Sequence, residues 1–348
     1  VARSFTLLGL ELGSSVLDWG QVEEVKEVLL AETQLFVGEH RITLDNSDGR
    51  FSPSLEGGLF WERSLQNVQG EVATDGNIVF RGFVKDLPTD YQAGTCTVVM
   101  ENAFTKPTDL TVIRAGQGLN PAYLMLSILE DAGLEEHVDR ASFVVAAGPA
   151  IAAGAVVDVA FDAGSNTKVL EALQKLGELA SISVFVRDGL VRAKAYRPYQ
   201  GQGAELRFPI TPALVREFGE TSKTFENFRN SVNVRYDVNG DFFAQDYQAI
   251  RRNGIERNFQ FNTATGQPLS VPDLRSAEFF ALNFLRRAAP LRDVVTLTGG
   301  AELQGIRIGD RHPLTAPKWG WTEAPFEVIE THQALGSGEV SLKLVSLV

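Results

Sequence analysis

Apolar and polar residues alternate in short runs along the first hundred positions, with glycine and aspartate at the breaks. Asn67-Val68-Gln69-Gly70-Glu71-Val72, Ile78-Val79-Phe80-Arg81-Gly82-Phe83-Val84 and Thr95-Cys96-Thr97-Val98-Val99-Met100 read as strands with one wet face. Leu7-Leu8-Gly9-Leu10-Glu11-Leu12 reads as another strand, and Gln34-Leu35-Phe36-Val37 and Arg41-Ile42-Thr43-Leu44 flank a turn at Gly38-Glu39. Residues 23–32 favour extended structure despite their acids, through Val22, Val25, Val28 and Leu30. Turns at roughly ten-residue spacing suit a small barrel or sandwich.

The period then changes. Asn120-Pro121 predicts a capped helix start, and Leu124, Ile128 and Leu129 recur at helical spacing up to Gly133. Ser165-Asn166-Thr167 opens a second helix with Val169, Leu170, Leu173 and Leu176 on one face. Residues 146–155, rich in Ala and Gly, read as a loose connection. Asp188-Gly189 between two apolar runs predicts a type I′ hairpin. Strands return from residue 222: Ser231-Val232-Asn233-Val234-Arg235-Tyr236 alternates, and Asn239-Gly240 supplies a turn. One helix interrupts, opened by Pro272 and Asp273 and closed by Pro290. Phe280, Phe284 and Leu285 point inward, and Arg286 and Arg287 sit at its negative end. Val294 to Leu297, Gly305 to Ile308, Phe326 to Ile329 and Val340 to Leu344 predict closing antiparallel strands. The fold class is α+β, mainly β, in three regions: 1–108, a mixed α/β region 109–221, and 222–348 with one inserted helix.

The most informative string is Ile42-Thr43-Leu44-Asp45-Asn46-Ser47-Asp48-Gly49-Arg50-Phe51-Ser52-Pro53. It reads as a strand, a tight turn and a second extended piece. Asp45, Asn46 and Ser47 can fold side-chain oxygens onto nearby N–H groups, Gly49 allows a positive φ, and Pro53 stops pairing. The Asn46/Asp48-Gly49/Phe51 turn resembles the signature of bacteriophage tail hub proteins, near the N-terminus of which a similar turn follows a strand. Phe80-Arg81-Gly82-Phe83-Val84 is similar to a strand of hub first domains. The helix at 122–134, Asn166-Thr167-Lys168-Val169-Leu170 with the Asp188-Gly189 hairpin, the segment Phe228 to Tyr236, and Gly305-Ile306-Arg307-Ile308-Gly309-Asp310 follow in the family's order.

That resemblance implies two similar small antiparallel β-barrel domains, at 1–108 and 222–348, flanking the mixed α/β domain. It implies a homotrimeric ring in the virion, assembled in the host cytoplasm. The ring would join a tail tube or distal tail ring to a central spike or fibre, contact the tape-measure protein and line the DNA ejection channel. No cofactor is expected: the iron–sulfur cluster of some tail-tip proteins needs several cysteines, and this chain has Cys96 alone.

Charge bears on the partners. The net charge is −12. Residues 1–206 hold 16 basic and 28 acidic side chains, whereas 207–311 hold 14 and 12. An acidic chain lacks the clustered Lys and Arg that grip phosphates, so DNA should pass without tight binding. No run of eighteen apolar residues exists, so no membrane-spanning segment is expected. The acidic first thirty residues do not read as a signal peptide.

The chemistry-bearing residues point to no enzyme. Glu23-Glu24, Glu130-Asp131 and Glu135-Glu136 are adjacent acids of the kind that sit on solvated faces. Asp310-Arg311-His312 reads as a turn before a strand, and Cys96 as a small core residue. His40, His137, His312 and His332 lie far apart and make no metal-type spacing, so no metal site is expected. The spacing of acids after Asp45 does not fit a calcium loop either. Trp61, Trp319 and Trp321 are candidate interface aromatics, and Trp319-Gly320-Trp321 places two indoles on one side if extended. The alternatives are a receptor- or glycan-binding tail-tip module using those indoles and a cell-wall hydrolase.

Overall fold

Alternation in the first region builds one antiparallel sheet. The computed structural model describes residues 2–25, 38–61, 65–106, 109–162, 166–200, 206–224, 228–238 and 240–347. Its first strands are β1 (Arg3–Leu7), β2 (Leu10–Glu11), β3 (Val16–Asp18), β4 (Gln21–Val25) and β5 (Glu39–Asp45). They are followed by β6 (Gln69–Thr74), β7 (Asn77–Asp86), β8 (Thr89–Asp90) and β9 (Thr95–Glu101). The sheet order is β2-β1-β6-β7-β9-β5-β3, with β8 added to β9. His40, Ile42 and Leu44 oppose Met100, Val98 and Cys96 in register, and all six are buried. A period of two thus places one whole face of each strand in the core. The run at Leu7 to Leu12 is two strands, not one, because Leu8 and Gly9 both take positive φ. Residues 26–37, with the strand expected at Gln34 to Val37, lie outside the described residues.

Helices and short sheets form the second core. β10 (Arg114–Leu119), β11 (Val157–Phe161) and β18 (Leu269–Ser270) make one sheet, and β12 (Ile182–Arg187) and β13 (Leu190–Ala195) the hairpin. Asp188 and Gly189 have φ of 52° and 74°, as a type I′ turn requires. α1 (Pro121–Asp131) is capped by Asn120, whose Oδ1 accepts from the Ala122 and Tyr123 amides. The loose connection expected at 146–155 is instead the second half of α2 (Arg140–Ala153). Alanine is the best helix former, Asp139 caps the start, and Phe143, Ala146, Ala147 and Ala150 bury one face. α3 (Val169–Ala180) begins after Lys168, slightly later than expected; Ser165 is outside the described residues.

The region from 222 divides between two cores. The expected boundary falls inside β14 (Val215–Lys223). β15 (Ser231–Tyr236), β16 (Gly240–Gln245) and β17 (Asn258–Phe261) form a small sheet packed under α5 (Leu274–Ala288). Val232, Val234, Phe280 and Phe284 join the core of the middle region. Asp273 caps α5 by accepting from the Ser276 amide, so the expected start is right. Arg287, expected at a charged helix end, is buried and donates to the Glu178 carbonyl. A second helix, α4 (Tyr247–Asn253), was not expected; Asp246 caps it. Asn239 of the expected turn is outside the described residues.

The last core belongs to β14, β19 (Asp293–Gly299), β20 (Arg311–Ala316), β21 (Trp321–Ala334) and β22 (Glu339–Ser346), in the order β14-β19-β22-β21-β20. The strand expected at Gly305 to Ile308 is a turn-rich passage whose Ile306 and Ile308 are buried. The two β lobes share the order of four strands: β6-β7-β9-β5 in the first corresponds to β20-β21-β22-β19 in the last. They differ at the edge, where β1 pairs with β6 but β14 pairs with β19.

Candidate assembly surfaces and the lobe junction

The string after β5 folds into consecutive three-residue turns, not into the second extended piece expected. The amides of Gly49, Ser52, Leu55, Gly58 and Trp61 each donate to the carbonyl three residues back, at 2.9–3.3 Å. Asn46 organises the start. It is buried, its Oδ1 accepts from the Phe51 amide at 2.7 Å, and its Nδ2 donates to Ser52 Oγ at 2.9 Å. Asp45 and Asp48 accept from the Ser47 and Arg50 amides. The Ser47 bonds hold the Asp45 carboxyl below its ordinary range. Phe51 is buried and meets Phe60 with ring centroids 5.4 Å apart. Gly49 has φ +76°, and a Cβ there would lie 2.6 Å from Leu55 Cδ2. The five residues of the turn motif therefore act together as a structural element.

β4 joins two lobes. It pairs antiparallel with β21, Glu23 opposite His332 and Glu24 opposite Thr331. Its Val22 nevertheless lies in the first core, beside Leu335 from the end of the last sheet. Alternation sends Glu24 inward to the hairpin tip, where its Oε1 accepts from the Asp188 amide at 3.3 Å. Its Oε2 is buried without a hydrogen bond among the described residues. Burial raises the Glu24 pKa to about 7, and the nearby Arg307 opposes that rise.

The hairpin tip, part of the middle region, touches both β lobes. Gly189 lies against Arg81 of β7 so closely that a side chain there would collide with it. Asp188 accepts from Arg307 at 3.1 Å, and Arg187 donates to Asp310 at 3.0 Å. Asp310 is also paired with Arg207 at 3.1 Å. Lys194 and Arg311 both meet Glu327, at 3.1 and 2.9 Å. Sequence separation hid this network; its one local signal was Asp188-Gly189.

The indoles are placed by packing. Trp319 and Trp321 share a side, as expected, with centroids 5.3 Å apart. They do so through a 3-10 turn, Pro317–Trp319, and Gly320 at φ +73°, not through an extended segment. Trp319 meets Phe218 edge-on at 5.2 Å, and Trp321 meets Phe326 at 4.9 Å. Both rings are half-buried against the last core. Trp61 is half-buried in the first lobe, at the end of the turn series.

Apart from Glu23 and His332, which face each other across β4 and β21, the chemical candidates are dispersed. Glu23 and Glu24 point to opposite faces of β4. Asp310 is held by arginines, and His312 is buried with Nδ1 2.9 Å from the Phe208 carbonyl. Burial lowers the His312 pKa and raises that of the Cys96 thiol.

No protein-family model matches the chain, and no curated protein matches it by sequence. Solved structures do. The 43 kDa tail protein of prophage MuSo2 from Shewanella oneidensis superposes with a TM-score of 0.60 at 12% identity, covering 99% of this chain and 98% of that one. A tail protein from Neisseria meningitidis gives 0.59 at 11% identity, with coverages of 99% and 96%. A prophage tail protein from Listeria monocytogenes gives 0.51 at 11% identity, with coverages of 99% and 94%. The chain shares its fold with these proteins over nearly its whole length.

Two outcomes follow from this geometry. Gly49→Val must hold a branched side chain at positive φ against Leu55, so it should lose roughly 1–3 kcal/mol in denaturant unfolding. Unchanged stability would contradict the role given to the turn. The second concerns pH. Folded Glu24 takes its proton near pH 7 and the unfolded side chain near 4.5. Between those values the folded state binds more protons, so stability falls as pH rises. Buried His40, lowered from 6.5 to about 4, acts oppositely: its contribution is present above pH 6.5 and lost toward 4. Glu24→Gln removes the first effect alone. It should stabilise the protein at pH 7.5 by on the order of 2–3 kcal/mol and leave stability unchanged at pH 4. Equal urea midpoints for variant and parent at pH 7.5 would refute the assignment.

Proposed function

We propose that the protein is a structural component of a bacteriophage-type tail: a tail or baseplate hub. In this reading three copies form a ring that joins the tail tube or distal tail ring to the central spike or fibre. The two β lobes form the barrel-like wall of the ring, and DNA passes through it. The observation that carries the reading is the fold shared with three tail proteins over 99% of the chain. The order of hub-like elements along the sequence supports it independently.

The site geometry is consistent with an architectural role. The turn motif braces the first lobe, and the charged network fixes the hairpin tip between the lobes. Asn46, Asp48 and Ser52 line one surface cavity and Lys194, Arg207 and Asp310 another; we propose that both elements serve architecture rather than catalysis. The glycan-binding alternative needs free indole faces, whereas Trp319 and Trp321 pack on Phe218 and Phe326.

The mass of the purified assembly tests the proposal. A species of three chains supports a hub, six chains would favour a tube or distal ring, and a stable monomer would overturn it. The trimer should not retain duplex DNA at physiological salt. Submicromolar binding with steep salt dependence would argue against a conduit of low affinity for phosphates.

A further inference from the structure

The outward face of β4 carries a second cluster, separate from the Glu24 network behind it. Glu23 on β4 stands directly opposite His332 on β21, and Glu330 lies two residues before His332 on the same strand. Cross-strand partners and i, i+2 neighbours share a face of a sheet, so all three side chains project together. Their donor atoms lie within 4.8 Å of one another. His332 Nε2 is 2.7 Å from Glu330 Oε1, and Nδ1 is 3.7 Å from Glu23 Oε1. All three are half-buried, and therefore reachable from solvent.

We propose that Glu23, Glu330 and His332 bind a divalent transition ion of the zinc class, which clasps β4 to β21. One imidazole nitrogen with two carboxylate oxygens suits zinc and its neighbours, and does not suit magnesium or calcium, which take oxygen ligands. Three protein ligands leave a fourth tetrahedral position to water. The sheet register preorganises the ligands, so binding needs only side-chain rotation. Lys343 is the competing cation: its Nζ lies 3.2 Å from Glu330 Oε2. It engages the second oxygen of that carboxylate and leaves Oε1 on the histidine side. Sequence spacing concealed the cluster, because Glu23 sits near the start of the chain and the other two near its end. The ion would strengthen the β4–β21 pairing, which ties the N-terminal segment to the last sheet.

The test uses the untagged full chain, zinc chloride and thermal unfolding, with calorimetric titration for stoichiometry. Zinc should bind one per chain and raise the midpoint by at least about 2 °C; magnesium at equal concentration should not. Glu23→Gln and His332→Ala, both at half-exposed positions, should each abolish the shift while keeping the parent's circular dichroism. Lys343→Met removes the competitor and should bind zinc at least as tightly as the parent. The proposal falls if zinc leaves the parent's midpoint unchanged. It falls equally if His332→Ala keeps the shift, if magnesium reproduces it, or if Lys343→Met no longer binds.

Discussion

β4 gives its backbone to one sheet and its side chains to two other environments. Its hydrogen bonds run to β21 in the last lobe. Val22 fills the first core, and Glu24 meets the hairpin tip of the middle region. A strand shared in this way cannot leave one lobe without exposing an apolar side chain in another. Opening the pairing would also strand backbone N–H and C=O groups, each of which needs a partner when buried. Local opening at this place is thus coupled to all three cores, and the relative placement of the lobes follows from it.

The charges around that strand act more as position markers than as a source of stability. Asp310 is almost fully buried and meets Arg187 and Arg207; Glu327 is buried and meets Lys194 and Arg311. Desolvating such groups offsets most of the Coulombic gain, so buried pairs of this kind add little net stability. Removing the buried acid is costly, because it leaves both of its cationic partners without that counter-charge in a poor solvent. That asymmetry penalises any docking of the hairpin except the observed one. Glu24 shows the limit of the arrangement: among the described residues it has one backbone donor and an unbonded oxygen, and burial raises its proton affinity.

Local signals were legible in the sequence and non-local ones were not. Asp188-Gly189 and Asp273 carry their chemistry in one or two residues, and both ended where expected. The alternation at Arg41 to Leu44 and Thr95 to Met100 fixed which face is buried. α2 was missed because alanine and glycine read as linker until Phe143 and its neighbours have a core to face. Arg287 looked like a helix-end charge, but α5 lies against the middle core and takes it inside. The assignment of β15, β16 and β17 to that core, and of β4 to the far sheet, depends on contacts between distant segments. Of the candidate sites, the Asn46 turn was visible because its bonds span only five residues; the β4 junction had no comparable local mark.

The same junction changes what the charge segregation along the chain means. Residues 207–311 are slightly basic in sequence, against an acidic 1–206. Yet Arg207, Arg307 and Arg311 are tied to Asp310, Asp188 and Glu327. Arg287 and Arg292 are buried, the latter donating to the Tyr196 hydroxyl at 2.8 Å. These five are paired or buried, whereas Arg216, Lys223, Arg251, Arg252, Arg275 and Arg286 of the same segment face solvent. A phosphate approaching the surface feels exposed charges most strongly, because solvent and salt screen them over about 8–10 Å. Internal pairing of these arginines thus offsets part of the positive charge that the segment carries in sequence, and the exposed basic residues carry the rest. Cohesion between the lobes and a smaller share of unpaired positive charge are then two consequences of one arrangement of arginines around the hairpin tip.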